Sequence, residues 1–339
     1  MRIIAPYVKQ VQLSDNIQQI GYAASICYAS NKQGSIEFLE ELWKKGHRSP
    51  FRHGTHYYIF TPNTYLHESL EEFIRNSPYC AYYITPDNNM YCSINDQVYR
   101  EHPSFKYYDE CEVSDIAYFS KAAKYPEEVY IEIIKTARLS FEIVTQVSTS
   151  RELNRVSPNN ICEQSTRYCN FKHDKFGNQV TFCQPHWIDC LSSWNINVHQ
   201  NEEFHYNEVI VEREKDTNNL IAKYPDGNQI DLSKQTFVAK GVYDGIAYVP
   251  VTSIWTETCK LGEEAYFEAL KNGMKPQDAR GLLNLDVATK VIYTYTIKEW
   301  LAILDLRYFG KYGTPHPNAY TIAKDIFERL NEINKTFFE

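Results

Sequence analysis

Ser150-Arg151-Glu152-Leu153-Asn154-Arg155 and, beyond a short polar turn, Glu163-Gln164-Ser165-Thr166-Arg167-Tyr168-Cys169-Asn170-Phe171 set Arg155 and Arg167 on either side of that turn. A planar guanidinium carries several donors in fixed directions, which suits forked recognition of phosphate. Ser165 and nearby backbone N–H groups can complete such a site. Upstream, Leu139, Phe141 and Ile143 alternate with Ser140, Glu142 and Thr145, the period of a half-buried strand. Thr149 and Glu152 are spaced as a capping box for a short helix, and Pro158 stops it. The arginines therefore sit on a strand–helix–turn, and the reading that follows is a nucleotide enzyme.

Outward from this segment the pattern varies. Residues 36–45 read as a helix capped by Ser35, with Phe38, Leu39, Leu42 and Trp43 on one face and Gly46 at its end. His56 to Phe60 is a short aromatic strand. From Asn63 to Tyr130 the chain is rich in Tyr, Asn, Asp and Pro, and its weak periodicity predicts irregular structure with short helices and strands. Residues 195–240 are polar, with a hairpin turn at Tyr224-Pro225-Asp226-Gly227-Asn228, and read as a surface excursion. A helix over 256–272 ends at Gly273, and Pro276 opens another. Val291 to Thr294 is a β-branched and aromatic strand. Thr296 and Glu299 form a capping box for a helix carrying Trp300, Ile303, Leu304 and Arg307, and a last helix buries Ile322, Ile326, Leu330 and Ile333.

Composition narrows the function. With 43% hydrophobic and 23% charged residues the chain has the balance of a soluble protein with a real core. The net charge of −8 argues against a general nucleic-acid binder, which needs a basic face, while leaving room for a local arginine cluster around a small anion. Nine cysteines form no CxxC pair and ten histidines no HExxH or HxH grouping, so no metal site is expected. Thiols in a reducing, cytoplasmic compartment are the expected state. No apolar run resembles a signal peptide or a membrane span.

Arg155, Arg167, Arg280 and Arg307 are the first candidates. A single arginine is most often a solvated charge, but Arg280 (Ala279-Arg280-Gly281-Leu282-Leu283) and Arg307 (Leu304-Asp305-Leu306-Arg307) lie in apolar helical stretches. Pairing with Asp278 or Asp305 is the plainer account of both. His53, in Gly46-His47-Arg48-Ser49-Pro50-Phe51-Arg52-His53-Gly54, reads equally as a site residue or as a helix-end cap.

Several segments in order resemble the flavin-dependent thymidylate synthases. They are Ala23-Ala24-Ser25-Ile26-Cys27-Tyr28, the Gly46 to His53 run, and Arg151 through Phe171 continuing into Asp174-Lys175-Phe176-Gly177-Asn178. Ala279 to Leu283 and Trp300 to Arg307 complete the series. The resemblance implies one domain over 1–339 of the α/β (α+β) type, a twisted and mostly antiparallel sheet flanked by helices, with 195–240 as a surface insertion. It implies conversion of dUMP to dTMP, with 5,10-methylenetetrahydrofolate as carbon donor and FAD, re-reduced by NADPH, as hydride source. It implies a homotetramer with sites between subunits, and no membrane or nucleic-acid partner. Residue by residue, Arg167 and Ser165 would hold the nucleotide phosphate with the backbone at Glu163 and Gln164. Arg155 would reach nucleotide or flavin, and Arg280 the nucleotide. Arg307, the expected catalytic group, would stabilise the ionised N3–O4 edge of uracil. His53, Thr55, Glu163, Thr296 and Lys298 would face the flavin. The family's Arg-His-Arg followed at fixed spacing by Ser reads here Arg155-Val156-Ser157 and Ser165, so one histidine and one arginine are replaced. Thr296 and Lys298 stand where many members have Asn and Arg, and Arg52 replaces a Glu. Two further readings stay open on this scaffold: altered pyrimidine C5 chemistry such as hydroxymethylation, and a catalytically silent nucleotide-binding subunit.

Overall fold

The computed structural model describes residues 1–28, 35–155, 160–165, 171–172, 177–187, 208–232 and 251–338. Strands β1 (Arg2–Ile4) and β2 (Tyr7–Val11) lead into helices α1 (Asn16–Tyr28) and α2 (Ile36–Lys44). A 3-10 turn, Ser49–His53, delivers the chain to β3 (Thr55–Phe60). Next come α3 (Glu68–Asn76), β4 (Cys80–Ile84), β5 (Met90–Asn95), α4 (Asp96–Glu101), β6 (Glu112–Val113), α5 (Asp115–Ala122) and α6 (Glu127–Ile134). β7 (Arg138–Gln146) runs directly into α7 (Val147–Leu153), followed by β8 (Ile161–Glu163) and β9 (Thr181–Cys183). β10 (Glu208–Arg213), β11 (Leu220–Lys223) and β12 (Gln229–Asp231) form a meander. The chain closes with α8 (Val251–Lys271), α9 (Pro276–Ala279), β13 (Ala288–Thr296), α10 (Ile297–Arg307) and α11 (Pro317–Ile333).

The strands make three sheets, ordered β2-β7-β13-β8, β4-β5-β3-β6 and β12-β11-β10-β1-β9. Only β1 and β9 pair in parallel among the described strands, so the expected α+β architecture with mostly antiparallel pairing is the one observed. In the first sheet Phe141 lies opposite Tyr293 and Ile143 opposite Val291. These odd positions pack on Trp300, Ile303 and Ile322 of α10 and α11. The even positions face α1, where Val11, Ala23, Ile26, Cys162 and Ile292 form a second cluster. Period two in the strands and 3.6 in the helices thus decide which side of the sheet each residue serves.

Local signals place many elements as expected. Ser35 Oγ accepts the Phe38 N–H at the start of α2, and Gly46 takes a left-handed φ of 77° after it. The Thr296–Glu299 capping box is complete. The Tyr224–Asn228 turn joins β11 to β12 through two backbone bonds of 3.0 Å.

Other expectations change. Residues 63–130 are more regular than their periodicity suggests, because His67, Asn95 and Ser114 cap three short helices whose apolar sides pack on the second sheet. Thr149 and Glu152 do not form a capping box. β7 continues into α7 through Gln146, whose Oε1 accepts the Thr149 hydroxyl at 2.9 Å, while Glu152 turns to two arginines. β7 is covered on both faces rather than one, since α1 lies over Ser140 and Glu142. Ile333 is 43% exposed at the end of α11. The 195–240 excursion lies partly outside the described residues; its described part, 208–232, extends the third sheet and buries Val209, Val211 and Ala222.

Candidate active site

A cleft opens where the N-terminus of α10 meets β4, β5 and the end of α6. Thr296, Lys298 and Glu299 line one side, Tyr79, Tyr82 and Tyr83 another, and Arg138 and Asn160 the floor, around a cavity of about 290 Å³. Backbone bonds Ile297 N to Ala137 O (2.8 Å) and Lys298 N to Lys135 O (3.0 Å) fix this corner. Arg138 is 9% exposed and spends its guanidinium on backbone carbonyls. Nη1 donates to Gly54 O at 2.9 Å, and Nη2 to Arg52 O at 2.7 Å and Thr294 O at 3.3 Å. No carboxylate lies within ion-pair distance of it among the described residues. Burial pushes the Arg138 pKa down, so the site carries a positive charge that is costly to keep unpaired. Asn160 gives its carbonyl to Thr294 N at 3.1 Å, while its buried Oδ1 has no partner among the described residues.

His53 does not line this cleft but bonds to Thr294 of β13, the strand that runs into it. Its Nδ1 lies 2.8 Å from Thr294 Oγ1, and its buried Nε2 has no partner among the described residues. Burial, then the charges of Arg138 and Arg52, lowers its pKa to about 3, so the ring is neutral. His53 is therefore a buried ring bonded across the sheet and not an exposed helix-end cap. Thr55 begins β3, its backbone N–H and C=O both held by the Asn16 amide at 2.8 and 2.9 Å. Arg52, which departs from the family pattern, lies with its guanidinium carbon 5.7 Å from the centre of the Tyr79 ring on the cleft wall.

The arginine segment forms a second group. Arg307 Nε and Nη2 donate to the Glu152 carbonyl at 3.1 and 2.8 Å, and Nη2 lies 3.1 Å from Glu152 Oε2. Arg155 reaches Oε1 of the same carboxylate at 3.1 Å from an exposed position. The partner of Arg307 is thus Glu152 and not Asp305, which pairs with Lys311. Glu163 is tied inward, its Oε1 accepting from Ser150 Oγ at 2.9 Å and Thr289 Oγ1 at 3.0 Å. Gln164 N donates to Lys290 O at 2.8 Å and Ser165 N to Cys27 O at 3.2 Å, anchoring the strand end beside α1. Arg280 is exposed in the turn after α9. Arg167 lies outside the described residues, as do Val156 to Asn159.

Sequence reasoning joined Thr296 to Lys298 and grouped Arg155, Arg167, Arg280 and Arg307; the structure brings Thr296 and Lys298 into one cleft and Arg155 and Arg307 onto one carboxylate, and leaves Arg280 in an exposed turn. Sequence reasoning missed Arg138 and Asn160, whose only signal is a polar residue at a strand edge. It also missed Glu142, which is 3% exposed and accepts from the Tyr7 hydroxyl at 2.8 Å and from the Tyr22 hydroxyl, with Lys290 Nζ at 3.4 Å. Among the described residues no cluster of His, Cys, Asp and Glu could hold a metal, and no helix is long and apolar enough to cross a membrane.

Two solved structures of the UMP/dUMP methylase PolB from Streptomyces cacaoi, one bound with 5-Br UMP and one with 5-Br dUMP, are similar to this chain. Identity is 13% and 12%, over 97% and 98% of this chain and 91% and 93% of theirs, with TM-scores of 0.38 and 0.39. No curated protein sequence matches. The family described as "Thymidylate synthase complementing protein" matches residues 117–333, which takes in β7, the arginine segment and α10 but leaves the Ala23–Tyr28 and Gly46–His53 segments outside. The chain belongs to the thymidylate synthase complementing protein family.

Proposed function

We propose that this chain is a flavin-dependent thymidylate synthase, which methylates dUMP to dTMP with 5,10-methylenetetrahydrofolate as carbon donor and NADPH as reductant. The observation that carries the reading is the cleft, where two of the six expected cofactor residues, Thr296 and Lys298, share one hollow with Arg138 and Asn160. Its donor set fits FAD. Tyrosine rings flank it as a flat ring system needs, Arg138 and Lys298 suit an anionic or carbonyl-rich edge, and Asn160 Oδ1 is an orphaned acceptor. At about 290 Å³ the cavity falls just below the ~300–1,000 Å³ usual for ligand sites, room for part of FAD with the rest left to neighbouring surfaces.

When bound, FAD supplies the hydride that reduces the transferred carbon. Lys298 would hold its polar edge, with the buried charge of Arg138 beneath it, standing in for the donors absent at Val156 and Ser157. Arg155 and Arg307 share the single Glu152 carboxylate, so the group keeps a net positive charge for the nucleotide. Arg307, with its guanidinium fixed by the Glu152 carbonyl, would stabilise charge on the uracil edge without reorganising. Ser165, Arg167, Arg280 and the backbone at Glu163 and Gln164 would complete the nucleotide contacts. The homotetramer with sites between subunits, and a cytoplasmic location, belong to the same proposal.

The test is direct. The full chain, incubated with FAD, dUMP, methylenetetrahydrofolate and NADPH, is expected to retain flavin and yield dTMP by mass spectrometry. Lys298→Ala should weaken FAD binding about tenfold to hundredfold, as for loss of one charged hydrogen bond. A product heavier by a hydroxymethyl group would replace the reaction, and nucleotide binding without flavin would replace the enzyme with a silent subunit.

A further inference from the structure

Two thiols meet beside the arginine segment. Cys27 lies in the last turn of α1, and Cys162 is the middle residue of β8, paired with Ile292 of β13. Cys162 is 1% exposed in the cluster of Val11, Ala23, Ile26 and Ile292, and the half-buried Cys27 packs against the same cluster. The two side chains hydrogen-bond each other, and the Ser49 side chain also bonds Cys162. The backbone ties the same two elements, since Ser165 N donates to the Cys27 carbonyl at 3.2 Å. A helix end and a strand far apart in sequence thus hold two sulfurs together, one within reach of solvent and one enclosed.

The two thiols differ in acidity as well as in exposure. The bond to Cys162 outweighs burial and the Glu163 charge and lowers the Cys27 pKa, while the same bond and burial raise that of Cys162. Burial pushes the Cys80 and Cys259 thiols up to about 12 and also raises those of Cys92 and Cys111. The thiolate is the reactive form of cysteine, and an accessible acidic thiol beside an enclosed one is the arrangement of a sensor cysteine with its resolving partner. We propose that Cys27 and Cys162 are a redox-active dithiol, which hydrogen peroxide closes to a disulfide next to the strand end that carries Glu163, Gln164 and Ser165. The Cys27 thiolate attacks one peroxide oxygen, the O–O bond breaks, and hydroxide leaves with the proton that Cys27 gave up. The Cys162 thiol then attacks the sulfenic sulfur of Cys27, forming the S–S bond as its own proton and the sulfenic hydroxyl depart as water. Two thiols are oxidised and one peroxide is reduced to two waters. A disulfide of this kind in a reducing compartment is transient. Closing it draws the end of α1 onto β8 and displaces the Ser165 N–H from the Cys27 carbonyl. The effect on nucleotide binding rests on the reading of Ser165 as a phosphate contact, whereas the dithiol stands on the placement of the two thiols.

The experiment reads the two parts separately. The reduced full chain is treated with stoichiometric hydrogen peroxide, alkylated, digested and mapped by mass spectrometry. A peptide pair linked through Cys27 and Cys162, two hydrogens lighter and released by dithiothreitol, is the expected product. Cys162→Ser should leave Cys27 as a sulfenic acid that dimedone traps, a signature that a merely structural pair would not give. If that variant does not fold, the map of the parent protein decides alone. Both cysteines alkylated after peroxide, or Cys27 linked to a different cysteine, overturns the dithiol. The oxidised chain should bind dUMP about tenfold more weakly by calorimetry, as for loss of one hydrogen bond to a charged group, and recover with dithiothreitol. A linked chain whose dUMP affinity stays within a factor of two overturns the effect on the site. A reduced chain that binds no dUMP refutes the nucleotide reading and leaves the dithiol standing.

Discussion

Glu142 shows how much a single residue can hide in a readable pattern. The alternation of β7 correctly puts it opposite Phe141 and Ile143, but alternation alone assigns the polar face to water. The structure covers that face with α1, and the carboxylate is buried against two tyrosine hydroxyls and a lysine. Burial works to raise its pKa, yet the bonds from Tyr22 and Tyr7 and the Lys290 charge outweigh it and leave the value below the ordinary 4.5. Because the native carboxyl is the stronger acid, its contribution is present above about pH 4.5 and is lost as pH falls through the native value. Glu142→Gln keeps the shape and removes the charge. It should cost about 1.5–3 kcal/mol at pH 7, the range for hydrogen bonds to charged groups, and distinctly less at pH 3.5. Urea unfolding at the two pH values measures both, and an unchanged stability at pH 7 would show that the charge contributes nothing.

At the scale of elements, what the sequence revealed is what neighbouring residues decide. The Ser35 cap of α2 and the Thr296–Glu299 box of α10 are legible because donor and acceptor lie three residues apart. The helices between 68 and 134 are eight or nine residues long except α4, which has six. Helices this short draw their stability from packing rather than propensity, so their periodicity carries little signal. The turn that holds His53 depends on such packing at Gly54. A Cβ there would lie 2.9 Å from Asp96 Cβ and 3.0 Å from Ile20 Cδ1, closer than packed carbons tolerate. Gly54 also gives its carbonyl to Arg138 at 2.9 Å. Gly54→Ala should therefore destabilise by about 1–3 kcal/mol through overpacking, and should weaken FAD binding because the Arg138 anchor shifts with it. A variant with the parent's urea midpoint would mean that α1 and α4 yield without strain.

For the molecule as a whole, the site is legible only in halves. Thr296 and Lys298 belong to one helix start, so sequence spacing captures them, whereas spacing alone gives Glu152 to a capping box with Thr149 and not to Arg155 and Arg307. Arg138, Asn160 and Thr294 come together only when the strands pair and the sheets pack, and nothing local marks them. The same packing shapes the response of the fold to acid. His56 is sandwiched between Asp96 at 3.1 Å and Glu112 at 2.8 Å. Burial lowers its pKa, but the two carboxylates prevail and raise it above 6.5. Its stabilisation is complete below about pH 6.5 and fades as pH rises through the native value. His53 behaves oppositely. The unfolded chain takes a proton near pH 6.5 that the native ring refuses until about pH 3. Across that interval the fold loses about 1.4 kcal/mol for each unit of acidification on account of this one group. His53→Asn removes the titration along with the Thr294 bond, so it should be less stable than the parent at pH 7 yet lose stability more slowly between pH 6 and 5, by about one proton's slope. Other titrating groups act equally on both proteins and cancel in the difference. Urea unfolding at pH 5, 6, 7 and 8 gives the two slopes, and parallel curves would mean that the His53 ring takes up its proton in the folded chain as readily as in the unfolded one.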